Sequence, residues 1–172
     1  LQDESWQADR LLAEGDRVDC GGVSLQVIET PGHVGNHLCY LSDDGLLFTG
    51  DHLIQGSTVV IAPPSGSMQA YFASLRKLQQ RGIMVMAPGH GDLISDPEET
   101  LTHTLAHRQK REDKVLEGLS GDPQTLAVLV KVVYDDVPEF LHGVAQFSLQ
   151  AHLIKLAEDG KAEEADQGWH RT

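Results

Sequence analysis

Three segments of this 172-residue chain end in the same way: an apolar run, a glycine-containing turn and then one side chain that can bind a metal ion. Those side chains are His33, Asp51 and His90. Imidazoles and carboxylates are ligands that zinc, iron and manganese accept in proteins, and an aspartate can bridge two cations. One such turn means little, and three unrelated turn residues are the alternative. Because the layout occurs three times, we predict three metal ligands gathered at one edge of a sheet.

Four further polar residues near these turns are candidates for supporting roles. His37 begins the strand after the first turn, and we expect it to be structural or to contact a metal ligand. His52 lies in the second turn and can either pack or hydrogen-bond near the site. Ser57 and Thr58 lie on a loop rich in Gly, Ser and Pro, where they can line a substrate pocket or simply face solvent.

The elements that position these residues follow from hydrophobic patterning. The glycine pair at 21–22 predicts the turn of a β-hairpin. Ser67 predicts the start of a helix that extends to about Arg81, with an apolar stripe on one face. Apolar runs bounded by turn residues predict strands at 23–28, 37–41, 46–49 and 83–87.

The second part of the chain is helical and ends in a short β-hairpin. Asp96, followed by a proline and two acids, predicts a capped helix that runs to about residue 119. Two further helices follow, and Trp169 is expected on the return strand of the hairpin. Three helices followed by a hairpin is the order of a winged helix. We therefore predict domains at 1–118 and 119–172.

Composition limits the function further. The net charge is −13, from 13 basic and 26 acidic side chains, which repels polyanions such as nucleic acids. No apolar run approaches the roughly 20 residues needed to span a bilayer, so no membrane association is expected. Cys20 and Cys39 have no metal-type spacing, and we expect two buried, reduced thiols. Reduced thiols are typical of the cytoplasm, where we place the protein.

The three ligand turns resemble the later metal motifs of the metallo-β-lactamase superfamily. They read Thr-Pro-Gly-His at 30–33, Gly-Asp at 50–51 and Pro-Gly-His-Gly at 88–91. The helical tail, with His-Arg at 107–108 and His-Leu at 152–153, resembles the winged helix of the β-lactamase-like protein 2 branch. The resemblance implies an α+β fold, the C-terminal half of an αββα sandwich plus a small winged-helix domain.

The resemblance also exposes a gap in the metal site. The superfamily's His-x-His-x-Asp-His motif should precede all these residues, and the chain contains no such run. By resemblance His33 joins one metal, Asp51 bridges both as the catalytic residue, and His90 joins the second. The expected cofactor is zinc, two ions per complete site, with iron or manganese as alternatives. The chain begins with Leu1, and we expect a missing N-terminal half of the domain, without which this fragment can lack metal and activity.

The implied activity is that of a metal-dependent hydrolase, in which activated water attacks an ester, thioester, lactone or similar small substrate. One alternative is an endoribonuclease that acts on single-stranded RNA. Residues 144–172 carry three basic and five acidic side chains, which disfavours nucleic-acid binding. The other alternative is a non-catalytic interaction module in which the winged helix is the functional part. We expect the winged helix to pack beside the active site or to form a homodimer.

Overall fold

The computed structural model describes residues 7–172, so the first six residues of the predicted 1–118 domain lie outside the described part. Helices and strands are both present, which confirms the α+β class. In chain order the elements are β1 (Arg17–Cys20), β2 (Val23–Glu29), β3 (Leu38–Ser42), β4 (Leu46–Gly50), α1 (Met68–Gln79), β5 (Val85–Pro88), α2 (Pro97–Gly118), α3 (Leu126–Val133), a 3₁₀ turn (Glu139–Leu141), α4 (His142–Glu158), β6 (Ala162–Ala165) and β7 (Gly168–Arg171).

The first five strands form one sheet in the order β1-β2-β3-β4-β5. The first three pairings are antiparallel, and β4 pairs with β5 in parallel. The turn between β1 and β2 uses Gly21 and Gly22 at φ of +64° and +87°, which confirms the predicted hairpin. Since each antiparallel pairing reverses the direction, β2, β4 and β5 all run the same way. Their carboxyl ends therefore lie at one edge of the sheet.

One face of the sheet is covered by helices. Ile28, Leu47 and Met86 point to this face and pack in one buried cluster with residues of α1, α2 and α4. The helix α1 begins as predicted, because the Ser67 side chain accepts a hydrogen bond from the Ala70 N–H. Its predicted apolar stripe is buried.

The opposite face of the sheet is apolar but only partly covered. Val27, Tyr40, Phe48 and Ala87 are register partners and form a row across four strands. Phe48 is 42% exposed, and Met84 beside the sheet is 67% exposed. Large apolar surface of this kind is usually covered by another layer or partner. Within residues 7–172, no second sheet covers this row.

The predicted winged helix forms a second buried cluster. It joins α3 and α4 to the β6–β7 hairpin, with Trp169 buried at its centre. The helix α2 contributes to both clusters, because Leu101 packs in the first and Val115 in the second. The boundary between 118 and 119 stays a prediction.

The two cysteines differ in their exposure to solvent. Cys39 is buried, but Cys20 is exposed at the end of an edge strand, so the prediction of two buried thiols was wrong for Cys20. Both thiols are free. Asp96 is the N-cap residue of α2 and Pro97 starts the helix, as predicted, but the Asp96 side chain makes no capping hydrogen bond. In the described part of the chain, no helix has both the length and the apolar character needed to cross a membrane.

Candidate metal centre

The three candidate ligands follow the three strands that share a direction. His33 comes shortly after β2, Asp51 directly after β4 and His90 two residues after β5. The fold therefore places them at the same edge of the sheet, as the turns suggested. His37, immediately before the antiparallel β3, lies at this edge as well. The role of these residues as metal ligands stays a prediction.

Asp51 and His90 approach each other directly. Nε2 of His90 lies 3.4 Å from Oδ1 of Asp51, and the side chains of His90 and Asp51 are 75% and 47% exposed respectively. Gly89 permits this approach, because a Cβ at that position would lie 2.9 Å from Asp51 Oδ1. The Gly89 N–H also donates to the Gly50 carbonyl at 2.9 Å, which ties the two loops together. Both side chains thus stay open to a ligand.

His33 is oriented by the backbone of a distant loop. Its Nδ1 lies 2.7 Å from the carbonyl oxygen of Val60. A carbonyl only accepts hydrogen bonds, so Nδ1 carries the proton and Nε2 keeps its lone pair. Histidine ligands of metals typically hold their second nitrogen in this manner. This tautomer suits His33 to bind a cation through Nε2.

His37 and His52 lie behind the ligands, one partly and one fully buried. Nδ1 of His37 and Oγ1 of Thr30 are hydrogen-bonded at 2.8 Å. Burial lowers the pKa of His37, His33 lowers it further, and Asp51 opposes the shift. The ring of His37 lies 5.5 Å from that of His52. The expectation that His37 is structural or contacts a metal ligand stays a prediction.

His52 is a packing residue. Its side chain is fully buried, and within residues 7–172 neither ring nitrogen has a hydrogen-bond partner. The possible hydrogen bond near the site is therefore absent from the described structure. Burial lowers the pKa of His52 to about 3, helped by His37 and His33, which keeps the ring neutral. Tyr71, whose ring lies 4.8 Å away, donates its hydroxyl to the His52 carbonyl at 2.9 Å.

Ser57 and Thr58 are exposed on the loop after Asp51. They line a cleft of about 550 Å³ between this loop and α2, whose other wall includes His103 and His107. Their position in a cleft wall agrees with the pocket alternative. Whether they contact a substrate stays a prediction.

The donor set fits a metal ion only in part. Imidazole and carboxylate donors are present with suitable chemistry at one edge. Within residues 7–172, however, no three His, Cys, Asp or Glu side chains converge closely enough to hold a metal ion. Sequence reasoning missed the Val60 carbonyl, which orients His33, and no pattern in a single sequence marks a backbone acceptor 27 residues away.

Comparison with known families agrees with this arrangement. Residues 3–90 match the metallo-β-lactamase superfamily model, and residues 125–169 match the β-lactamase associated winged helix domain. The first match covers slightly more than half of the chain. The chain belongs to the metallo-β-lactamase superfamily. The resemblance predicted from the ligand turns and the helical tail is thereby confirmed.

The curated relatives that this chain matches are longer than the chain itself. A β-lactamase-like protein 2 homolog of Drosophila melanogaster is 32% identical over 154 residues, which cover 87% of this chain and 51% of the relative. An atrochrysone carboxyl ACP thioesterase of Paecilomyces divaricatus is 28% identical over 162 residues, 88% of this chain and 50% of the relative. The chain spans about half the length of the curated relatives it matches.

A solved structure shows the same fold. A metallo-β-lactamase family protein of Thermus thermophilus superposes with a TM-score of 0.82 at 25% identity, covering 96% of this chain and 55% of that protein. The match includes the sheet, the helices and the winged helix, because it covers almost the whole of the present chain. It supports the predicted C-terminal part of an αββα sandwich with a winged helix.

Proposed function

We propose that His33, Asp51 and His90 form part of a hydrolytic metal centre that acts on a small ester, thioester or lactone. The observation that carries the proposal is the meeting of Asp51 and His90, 3.4 Å apart and open to solvent, at the ends of two parallel strands. The remaining ligands are proposed to come from an N-terminal half of the same domain. The apolar row of the sheet, which is only partly covered within residues 7–172, supports this, because its exposed part offers a surface for such a half.

His33, Asp51 and His90 would hold the metal, proposed to be two zinc ions with iron or manganese as alternatives. When bound, such ions polarise a scissile carbonyl and lower the pKa of water. The protein's own contribution is orientation: the Val60 carbonyl holds the His33 ring, and Gly89 lets Asp51 approach the β5 loop. Asp51 is the proposed catalytic residue, since its carboxylate would hold the ions that supply this chemistry.

A thioester is the favoured substrate class. A relative named as an ACP thioesterase supports it, and so does the net charge of −13, which disfavours a polyanion. A cytoplasmic location is proposed from the two free thiols, and a homodimer formed through the winged helix is also proposed.

The test measures metal content and thioester hydrolysis together in the protein with the proposed N-terminal half present and the metal loaded. Asp51→Asn is expected to lower metal affinity and hydrolysis by at least about a hundredfold, more than changes around a metal ligand usually cause. Asp113→Asn, on the exposed side of α2, is the matched control and should change neither. Full hydrolysis by Asp51→Asn would exclude the assignment. Cleavage of single-stranded RNA without thioester hydrolysis would favour the nuclease alternative.

A further inference from the structure

A second cleft lies beside the candidate metal centre, and we call it the Val60 cleft. It has a volume of about 280 Å³ and opens between the 57–60 segment, α2 and the start of α4. Its apolar lining comes from both domains and includes Val60, Val137, Leu141, Val144 and Ala145. The winged helix therefore supplies most of the apolar wall of the cleft, and the 57–60 segment and α2 form the other side.

Val60 joins this cleft to the metal centre. The residue lines the cleft, and its carbonyl oxygen accepts the Nδ1–H of His33 at 2.7 Å. A ligand group that contacts Val60 in the cleft is thus one residue away from His33, the proposed metal ligand. The far wall is fixed to the same segment, because Ser148 of α4 accepts a hydrogen bond from the Ile61 N–H at 3.2 Å.

Some polar groups of the wall are engaged within the protein, whereas His107 Nδ1, Arg108 Nε and the Tyr134 hydroxyl are buried and have no hydrogen-bond partner within residues 7–172. Arg108 donates to the Val59 carbonyl, and Arg111 forms two bonds with Asp136 at 2.7 and 3.0 Å. Burial lowers the pKa of His107, and the two arginines lower it further, which favours a neutral ring. Arg111 is therefore already paired, and the apolar side chains of the lining are what favours an apolar ligand group in this cleft.

The mouth of the cleft carries exposed apolar side chains. Leu141 and Val144 are 42% and 48% exposed, and Phe140 and Phe147 beside them are 84% and 48% exposed. Scattered exposed apolar residues are ordinary, but these four share one face of α4 and its preceding turn, next to a cleft. Such a continuous apolar surface favours an apolar ligand.

We propose that the Val60 cleft receives the apolar acyl group of the substrate, so that α4 of the winged helix selects acyl length. This inference rests on the proposed hydrolase function, because the acyl group belongs to the substrate proposed for the ligand turns. The volume of about 280 Å³ equals roughly nine water-sized volumes of about 30 Å³ each. The cleft therefore suits an acyl group on the order of eight carbon atoms long.

The first experiment measures binding of straight-chain carboxylates, from butanoate to decanoate, by calorimetry. Affinity is expected to rise roughly two- to fourfold for each added methylene, up to about eight carbons, and then to level off. Val144→Phe fills the cleft and should flatten this rise. Val132→Phe is the matched control, since Val132 is 51% exposed on α3 and does not line the cleft. It should leave the rise unchanged.

The second experiment compares kcat/KM for acyl thioesters of the same lengths in the metal-loaded protein. Val144→Phe should move the preferred acyl group to shorter chains, and Val144→Ala should move it to longer ones. Binding does not require hydrolysis, so chain-length-dependent binding without turnover would reject the hydrolase while keeping the acyl site. Hydrolysis whose length preference is the same in all variants would reject the acyl site while keeping the hydrolase.

Two other outcomes would also overturn the proposal. One is equal loss of carboxylate binding in Val144→Phe and Val132→Phe, which would show a general disturbance of the winged helix. The other is a dimer in light scattering that Val144→Phe dissociates, without any effect on carboxylate binding. That result would assign this apolar surface to a second copy of the chain.

Discussion

Two groups of histidines and carboxylates in this protein look similar in the sequence, but one is exposed to solvent and the other is buried. The ligand edge consists of His33, Asp51 and His90. The Glu112 network consists of Glu112 on α2 with His152 and Lys155 on α4. Asp51 and His90 are about half or more exposed, whereas Glu112 and His152 are 5% and 0% exposed.

In the Glu112 network both oxygens of the carboxylate have partners, although Nε2 of His152 is buried without one within residues 7–172. His152 Nδ1 lies 3.3 Å from one carboxylate oxygen of Glu112, and Lys155 Nζ lies 2.8 Å from the other. Burial raises the pKa of Glu112, but the bonds from His152 and Lys155 outweigh it and hold the pKa below its ordinary value. This carboxylate is therefore charged, enclosed and unavailable to a ligand.

The contrast separates two uses of the same residue types. At the ligand edge, glycine turns present the side chains from separate loops and leave them open to solvent. In the Glu112 network, two packed helices enclose them, because α2 and α4 contribute to the same buried surfaces. Changes at the edge should therefore affect ligand binding, whereas changes in the network should affect folding.

The largest expected effect on stability is that of Glu112→Ala. Removing the carboxylate leaves His152 and Lys155 without their shared partner, although Lys155 keeps Asp159 at 2.8 Å. Breaking a buried ion pair in this way is expected to lower the free energy of unfolding by about 3 kcal/mol. Urea denaturation measures the change. Asp51→Asn, at the exposed edge, should stay within about 0.5 kcal/mol of the unmutated protein.

A comparable loss in both variants would contradict the contrast between the two regions. It would mean that the ligand edge, like the network, is needed for folding. An unchanged Glu112→Ala variant would instead mean that α2 and α4 are held together by apolar packing alone.

The second prediction concerns pH. Burial lowers the pKa of His152 from 6.5 to about 4, although Glu112 opposes the shift. Because the folded pKa lies below the unfolded value, the unfolded chain binds a proton first as the pH falls below about 6.5. His152 should therefore destabilise the fold progressively between pH 6.5 and 4, by about 2 kcal/mol on going from pH 7 to pH 5.

Urea denaturation at pH 7 and pH 5 tests this effect of His152. His152→Gln cannot take up the proton, so the loss of stability between the two pH values should shrink by about the same 2 kcal/mol. His103→Gln, on the exposed side of α2, provides the control and should leave the pH dependence almost unchanged. An equal reduction in both variants would show that burial of His152 is not the cause.

Local patterns predicted much of this structure. The Gly21–Gly22 hairpin, the helix that begins after Ser67 and the return strand that carries Trp169 all depend on residues close in sequence. The three ligand turns were found for the same reason, because each is a strand followed by a glycine and a ligand. The helices α3 and α4 were likewise placed by their apolar stripes and the breaks between them.

The errors and omissions depend on contacts between distant residues. The Glu112–His152 pair spans 40 residues, and no single-sequence pattern marks it. The Cys20 thiol lies on an edge strand, and only the strand order shows that it is exposed. For His52 the sequence left packing and hydrogen bonding open; Tyr71 of α1 packs against its ring and donates its hydroxyl to the His52 carbonyl.

The smallest predicted effect tests whether the two regions communicate. Ser148 of α4 accepts the Ile61 N–H, and Ile61 is fully buried beside Val60, whose carbonyl orients His33. Ser148→Ala leaves that N–H without its partner and should lower the free energy of unfolding by about 1 kcal/mol. It should also weaken metal binding by less than about tenfold, since the His33 bond itself remains.

Ser65→Ala, on the exposed part of the same loop, is the control. Loss of stability with unchanged metal affinity would show that α4 supports the fold without influencing the ligand edge.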